Sequence, residues 1–171
     1  HFCAGADFSR SNFKNESEAY SALYDQAVRL FRTSKPIIAI IQGAAVGGGL
    51  GVALAADFRI ACKESRFSAN FSKLGFHQGF GTTITLPRVV GHQFAKKMLL
   101  TATRLKGEEA MACGLADYLV EQKDLMTTAE NLAKWAFEQV KPHIQTSYGN
   151  RLRLVAMHVR ETPKSWASWR E

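Results

Sequence analysis

The sequence predicts an α/β protein, and three observations carry that prediction. Ile37-Ile38-Ala39-Ile40-Ile41 is a continuous, mostly β-branched run. Such a run suits a strand buried on both faces, as in a parallel sheet. Five of the 13 glycines then crowd between Gly43 and Gly51. Val52–Asp57 follows as a short apolar helix, and Phe58-Arg59-Ile60-Ala61-Cys62 reads as the next strand. Strand, glycine turn, helix, strand is the local order of an α/β fold.

The remaining elements follow in chain order. His1-Phe2-Cys3 reads as the end of a strand, and Ala4-Gly5-Ala6-Asp7 as a turn of small residues. Apolar residues at Ala19, Leu23, Ala27, Leu30 and Phe31 have helical spacing over 16–33. Lys35-Pro36 breaks that helix. Gly79-Phe80-Gly81-Thr82-Thr83 opens another, which runs to Val90 and stops at Gly91. Residues 93–101 and 108–113 read as helices, the second closed by Gly114 as its C-terminal cap. Tyr118-Leu119-Val120 reads as a short strand and 124–140 as an amphipathic helix. After Pro142 a last helix is expected to about Arg160. The expected organisation is a core over 1–120 and a C-terminal helical region over 121–171.

Composition excludes several classes. With 171 residues, 46% hydrophobic and 22% charged, the chain is neither disordered nor fibrous. No apolar run reaches the roughly 18 residues that span a bilayer. Cys3, Cys62 and Cys113 are odd in number and far apart, without a CxxC pair. They suggest neither a disulfide scaffold nor a zinc site, and they point to a reducing, cytoplasmic compartment. The first residue is His1 rather than Met, which suggests that the natural start lies upstream.

The net charge is +7, and residues 141–171 carry six basic and two acidic residues. A basic surface can attract nucleic acid, anionic lipid or a phosphorylated ligand; it can also be a solvated helix face. Basic and aromatic residues are not interleaved as in RNA-binding modules, and no helix-turn-helix signal is clear. Neither a nucleic acid nor a membrane is therefore expected as partner.

A glycine run that ends a strand and opens a helix presents bare backbone N–H groups. A phosphate, a dinucleotide or a developing oxyanion suits such a turn. Gly43 and Gly48 have the GxxxxG interval, but Gly49-Leu50 stands where a phosphate loop needs Lys and Ser or Thr. Gly47-x-Gly49 lacks a third glycine at Val52 and an acidic residue at the ribose position. An oxyanion needs two converging N–H groups. The turn offers one, and Ala4-Gly5-Ala6-Asp7 is the candidate for the other. Two tight turns with close helix–strand packing would leave the same pattern.

Several segments, in order, resemble the crotonase (enoyl-CoA hydratase/isomerase) family. Phe2-Cys3-Ala4-Gly5-Ala6-Asp7 resembles its FxAGAD loop, and Lys35–Gly43 its KPVIAAVNG strand. Ala45–Gly49 resembles its A-x-GGG turn, and Leu54–Ala61 its LAxxCDxRIA segment. Leu86–Gly91 resembles LPRxVG, and Glu108–Asp117 resembles EAxxxGLV. The resemblance covers residue 1 to about 140. It implies a crotonase-like spiral of ββα units followed by C-terminal helices, assembled as trimers or hexamers. It implies an acyl-coenzyme A thioester as ligand, coenzyme A being part of the substrate and no cofactor being covalently bound. The backbone N–H groups of Ala6 and Gly48 align with the family's oxyanion hole, and Ala4 and Ala6 with its thioester loop.

The departures from the family are equally informative. The two hydratase glutamate positions align with Gly51 and Phe71, and neither residue can move a proton. Hydration needs a general base and a general acid near the β-carbon, so these residues argue against ordinary hydration. Asn70, Ser72, His77 and Gln78 flank the second position. His77 is the candidate acid–base group, because imidazole titrates near neutrality. Asp7 is expected to orient its loop, and Asp57 to fix a helix–strand junction. Two functions remain open: an acyl-CoA lyase, isomerase or hydrolase of fatty acid metabolism, and a catalytically silent thioester-binding or assembly subunit. Relative to the family the chain is expected to be truncated, either as a fragment or as a protein that covers its open face by self-association.

Overall fold

The apolar run forms β1 (Ile38–Ile41), in which Ala39, Ile40 and Ile41 are buried. The computed structural model describes residues 1–5, 16–148, 156–162 and 165–170. The described chain divides into two units, His1–Gln122 and Lys123–Glu171.

In the first unit, strands come in consecutive pairs that part into different sheets. β1 and β3 (Phe58–Ala61) pair in parallel, and β6 (Tyr118–Leu119) extends that sheet in parallel on β3. β2 (Ala44–Val46) and β4 (Arg66–Ser68) pair in parallel in a second sheet, which β5 (Arg104–Lys106) closes antiparallel. β1–β2 and β3–β4 are each followed by a helical segment, giving two ββα steps, whereas α5 (Gly107–Ala112) stands between β5 and β6. Cys3 adds a parallel bridge to Ala45, in keeping with the strand end expected at residues 1–3. Strands of three residues are too short to show a period of two, so β2, β4 and β5 were invisible to the sequence pattern.

Helices α1 (Glu16–Phe31), α3 (Thr82–Val90), α4 (His92–Thr101) and α5 (Gly107–Ala112) fall close to where the sequence puts them, whereas α2 (Gly48–Leu54) starts inside the glycine run, four residues before the expected Val52–Asp57, and ends at Leu54. Gly91, at φ 77°, ends α3, and Gly114, at φ 77°, follows α5 as expected of a C-terminal cap. Asn70–Leu74 is a 3₁₀ turn. The core joins Ile41, Leu50, Phe67, Leu86, Met98 and Leu115, all fully buried.

Two carboxylates pin this unit. Asp57 Oδ2 accepts from Ile37 N at 2.7 Å, and Asp57 N donates back to Ile37 O at 2.9 Å, which fastens the junction between α2 and β3. Arg59 is buried, and its guanidinium lies 3.0 Å from Asp117 Oδ2 while donating to the carbonyls of Leu115 and Ala56, each at 2.8 Å. A buried cation satisfied on all sides fixes β3 against the segment before β6.

The second unit departs from the expected all-helical region. α6 (Leu125–Tyr148) runs through Pro142 instead of stopping there. Proline removes one i→i−4 bond but leaves its own carbonyl free to accept, and Thr146 Oγ1 donates to it at 2.9 Å. A strand pair, β7 (Ala156–Thr162) and β8 (Ser165–Arg170), then stands where a helix to Arg160 was expected. The two strands pair antiparallel. Val159, Thr162, Trp166 and Trp169 are β-branched or aromatic residues that favour a pleated surface.

Candidate functional site

The glycine cluster is three structures rather than one turn: strand β2, the single residue Gly47, and helix α2. Gly47 caps α2 at φ 57° and ψ −119°, a conformation open to glycine and costly for other residues. Gly49 faces the Cys3 carbonyl so closely that a methyl group there would overlap it. That approach lets the N-terminal segment pair in parallel along one edge of β2, with a hydrogen bond on either side of Ala45. Cys3 N donates to Ala44 O at 2.8 Å, and Val46 N donates to Cys3 O at 3.0 Å.

The small-residue loop therefore arrives at the start of α2. Gly5 has φ +91°, and a methyl built on it would lie 3.0 Å from Val46 O and 3.8 Å from Gly48 N. Among the described residues nothing lies within 4 Å of a methyl built on Gly48, so none of them fills the space beside that residue. Ala4 is exposed at the same loop. Ala6, the other expected amide donor, and Asp7 lie outside the described residues.

One helical turn beyond Gly48, the two remaining candidate positions meet aromatic rings. Gly51 is buried, and a methyl on it would lie 2.5 Å from Phe80 Cβ, 2.6 Å from Cδ1 and 2.8 Å from Cγ. Phe80 is 9% exposed and sits at φ +54°, a left-handed conformation rare for a bulky residue. Its ring packs on Phe31 at 6.1 Å between centroids, tilted by 52°. Phe71 is half-buried and lies over the cap residue. Its Cζ would be 3.8 Å from a methyl on Gly47 and 3.3 Å from one on Gly79. Tyr24 places its hydroxyl 2.5 Å from the same Gly79 methyl position, and Asn70 Oδ1 lies 2.9 Å from that of Gly47.

Among the flanking polar residues, His77 is exposed, with Nδ1 2.9 Å from the carbonyl oxygen of Gln78. Gln78 Nε2 donates to Leu99 O at 2.7 Å. Its Oε1 is the one buried side-chain oxygen or nitrogen without a hydrogen-bond partner among the described residues. Ser72 is exposed. Burial pushes the Cys113 thiol above its ordinary range, and the charge of Glu109 adds to that. A thiol so shifted is a poor nucleophile. Among the described residues, no group of three or more His, Cys, Asp and Glu side chains could hold a metal ion.

The arrangement thus leaves the space beside Gly48, at the start of α2, unfilled by the described residues, sets aromatic rings against the neighbouring Gly47 and Gly51, and has no carboxylate at position 51 or 71. The family model for enoyl-CoA hydratase/isomerase matches residues 1–156. The chain belongs to the enoyl-CoA hydratase/isomerase family. It is 39% identical over 135 residues to a short-chain-enoyl-CoA hydratase of Clostridium acetobutylicum, covering 77% of this chain and 52% of the relative. It is also 39% identical over 135 residues to an (E)-benzylidenesuccinyl-CoA hydratase of Thauera aromatica, covering 78% and 53%. The crystal structure of an enoyl-CoA hydratase from Bacillus anthracis superposes with a TM-score of 0.73 at 29% identity, covering 88% of this chain and 61% of that one. The α/β winding described above is therefore the crotonase fold. The chain spans about half the length of the curated relatives it matches.

Family membership gives Gly51 and Phe71 their interest, but the residue that fills position 51 escaped the sequence reading. Phe80 stands between Gly79 and Gly81, and that glycine bracket was its one visible signal. In the sequence Phe31 shows only helical spacing, and nothing singles out Tyr24.

Proposed function

We propose that the chain binds an acyl-CoA thioester and polarises its carbonyl through backbone N–H groups of Ala6 and Gly48, without hydrating the acyl group. Convergence of the Gly5 backbone on the Gly48 amide, beside space that none of the described residues fills, is the observation that supports this reading most. Two such donors stabilise an enolate-like oxygen by a few kcal/mol each. Hydration is set aside because its acid–base pair has no counterpart at Gly51 or Phe71. Lyase, isomerase or hydrolase chemistry remains compatible with a polarised thioester, and His77 is the side chain assigned to acid–base work in it.

The similarity to a short-chain-enoyl-CoA hydratase and to an (E)-benzylidenesuccinyl-CoA hydratase supports the thioester class. The site belongs to the spiral core, 1–120, with coenzyme A entering as part of the substrate. A cytoplasmic trimer or hexamer working in fatty acid metabolism is the setting we assign. Exposed Phe76, Ile84 and Leu100 supply apolar surface for such an assembly. Among the described residues no helix is long and apolar enough to cross a membrane.

A second reading, a silent thioester-binding or assembly subunit, is favoured by the aromatic filling at Gly51. Two assays separate the readings. Calorimetric titration with acetoacetyl-CoA should show binding tighter than that of free coenzyme A; equal affinity would remove the oxyanion assignment. Crotonyl-CoA should keep its conjugated thioester absorbance on incubation with the chain. Loss of that absorbance at a hydratase-like rate would overturn the account of Gly51 and Phe71. His77→Ala should abolish any slower turnover of the thioester, and unchanged turnover would remove His77 from the chemistry.

A further inference from the structure

We infer that Phe80 is a specificity-determining wall that closes the acyl end of the site, so that the chain accepts only short acyl groups. This rests on the thioester reading above and adds to it the size of the group bound. Gly48 and Gly51 are three residues apart on α2 and therefore share a face of the helix. A thioester held at the Gly48 amide would carry its acyl carbons along that face. There the space beside Gly51 is taken by Phe80, whose Cβ, Cγ and Cδ1 all lie within 2.8 Å of where a side-chain carbon would begin.

The wall is fixed rather than swinging. Phe80 Cβ itself is 2.5 Å from the Gly51 methyl position, so the contact is made next to the backbone and not by the ring tip alone. The ring is backed by Phe31. Gly81 follows at φ +69° and caps α3, and Thr82 N and Oγ1 both donate to Gly79 O, at 3.2 and 2.8 Å. Those bonds hold the three-residue corner that keeps Phe80 at φ +54°. A bulky residue kept in the left-handed region is a local cost that tertiary structure must sustain, and such residues gather at ligand clamps. Phe71 over Gly47 and Gly79 continues the aromatic lining on the neighbouring side.

The test is a series of straight saturated acyl-CoA thioesters with two, four, six and eight acyl carbons, titrated calorimetrically into the 171-residue chain and into Phe80→Gly, which removes Cβ as well as the ring. Each methylene buried in an open pocket would tighten binding about fourfold. The wild-type chain should gain affinity from two to four carbons and then stay flat or weaken. Phe80→Gly should continue to gain up to eight. A wild-type affinity that climbs steadily to eight carbons overturns the wall, whether or not the variant folds. Equal length profiles in the two proteins overturn it as well. Failure of every thioester to exceed free coenzyme A instead overturns the oxyanion reading on which the wall depends.

Discussion

Gly51→Ala should destabilise the protein, although glycine to alanine inside a helix ordinarily stabilises. Propensity alone favours alanine by about 1 kcal/mol. Against that stands the new methyl, 2.5 Å from Phe80 Cβ and 2.6 Å from Cδ1. A rotamer change can move Cδ1 but not Cβ, which is tied to a backbone already at φ +54°. Overpacking of this kind costs about 1–3 kcal/mol. The net expectation is a loss of up to about 2 kcal/mol, or roughly 2–4 °C in Tm for each kcal/mol at this chain length. Urea unfolding followed by circular dichroism reads it directly. Phe80→Gly removes both offending carbons and suits the left-handed backbone, so in that background Gly51→Ala should turn stabilising by about 1 kcal/mol. A change of sign between backgrounds is the signature of coupling. Equal stabilisation in both would refute the contact and, with it, the filling of the hydratase position.

Gly48→Ala should behave oppositely, since its methyl meets none of the described residues within 4 Å. Thermal stability should hold or rise slightly, while acetoacetyl-CoA affinity in calorimetry falls at least about tenfold as the methyl enters the thioester's space. Asp117→Ala should cost about 3–5 kcal/mol in denaturant unfolding, because it strands the buried Arg59 cation. Cys113, its thiol pushed up by burial and by Glu109, should react with iodoacetamide at pH 8 more slowly than a free cysteine. The same shift has a stability consequence. The unfolded thiol deprotonates first, so stability should decline as pH rises above about 8.5, the ordinary cysteine value. A guanidine midpoint that does not fall between pH 8 and 10 would contradict it.

The parts of the fold legible in the sequence are those encoded locally. The run at 37–41 is buried on both faces because it is apolar throughout, and Gly91 and Gly114 mark helix ends because they alone tolerate positive φ cheaply. Asp57 was read as a junction residue, and its carboxylate holds Ile37 N. The short strands beside Gly47 and Phe67 carried no periodic signal. Pro142 misled as a breaker, since surrounding residues keep the helix. The glycine cluster marked the start of α2 as a candidate site because such clusters have few uses. Its aromatic border was not, because Phe80 reaches Gly51 only through tertiary packing, and sequence spacing says nothing of which distant ring fills a missing side chain.

The vibrational spectrum of a carbonyl-labelled acyl-CoA bound to this chain tests the thioester assignment most directly. Two converging amide donors should lower the C=O stretching frequency below its value in water, because they draw charge onto the oxygen. A bound thioester whose carbonyl band stays at its aqueous position would contradict the account.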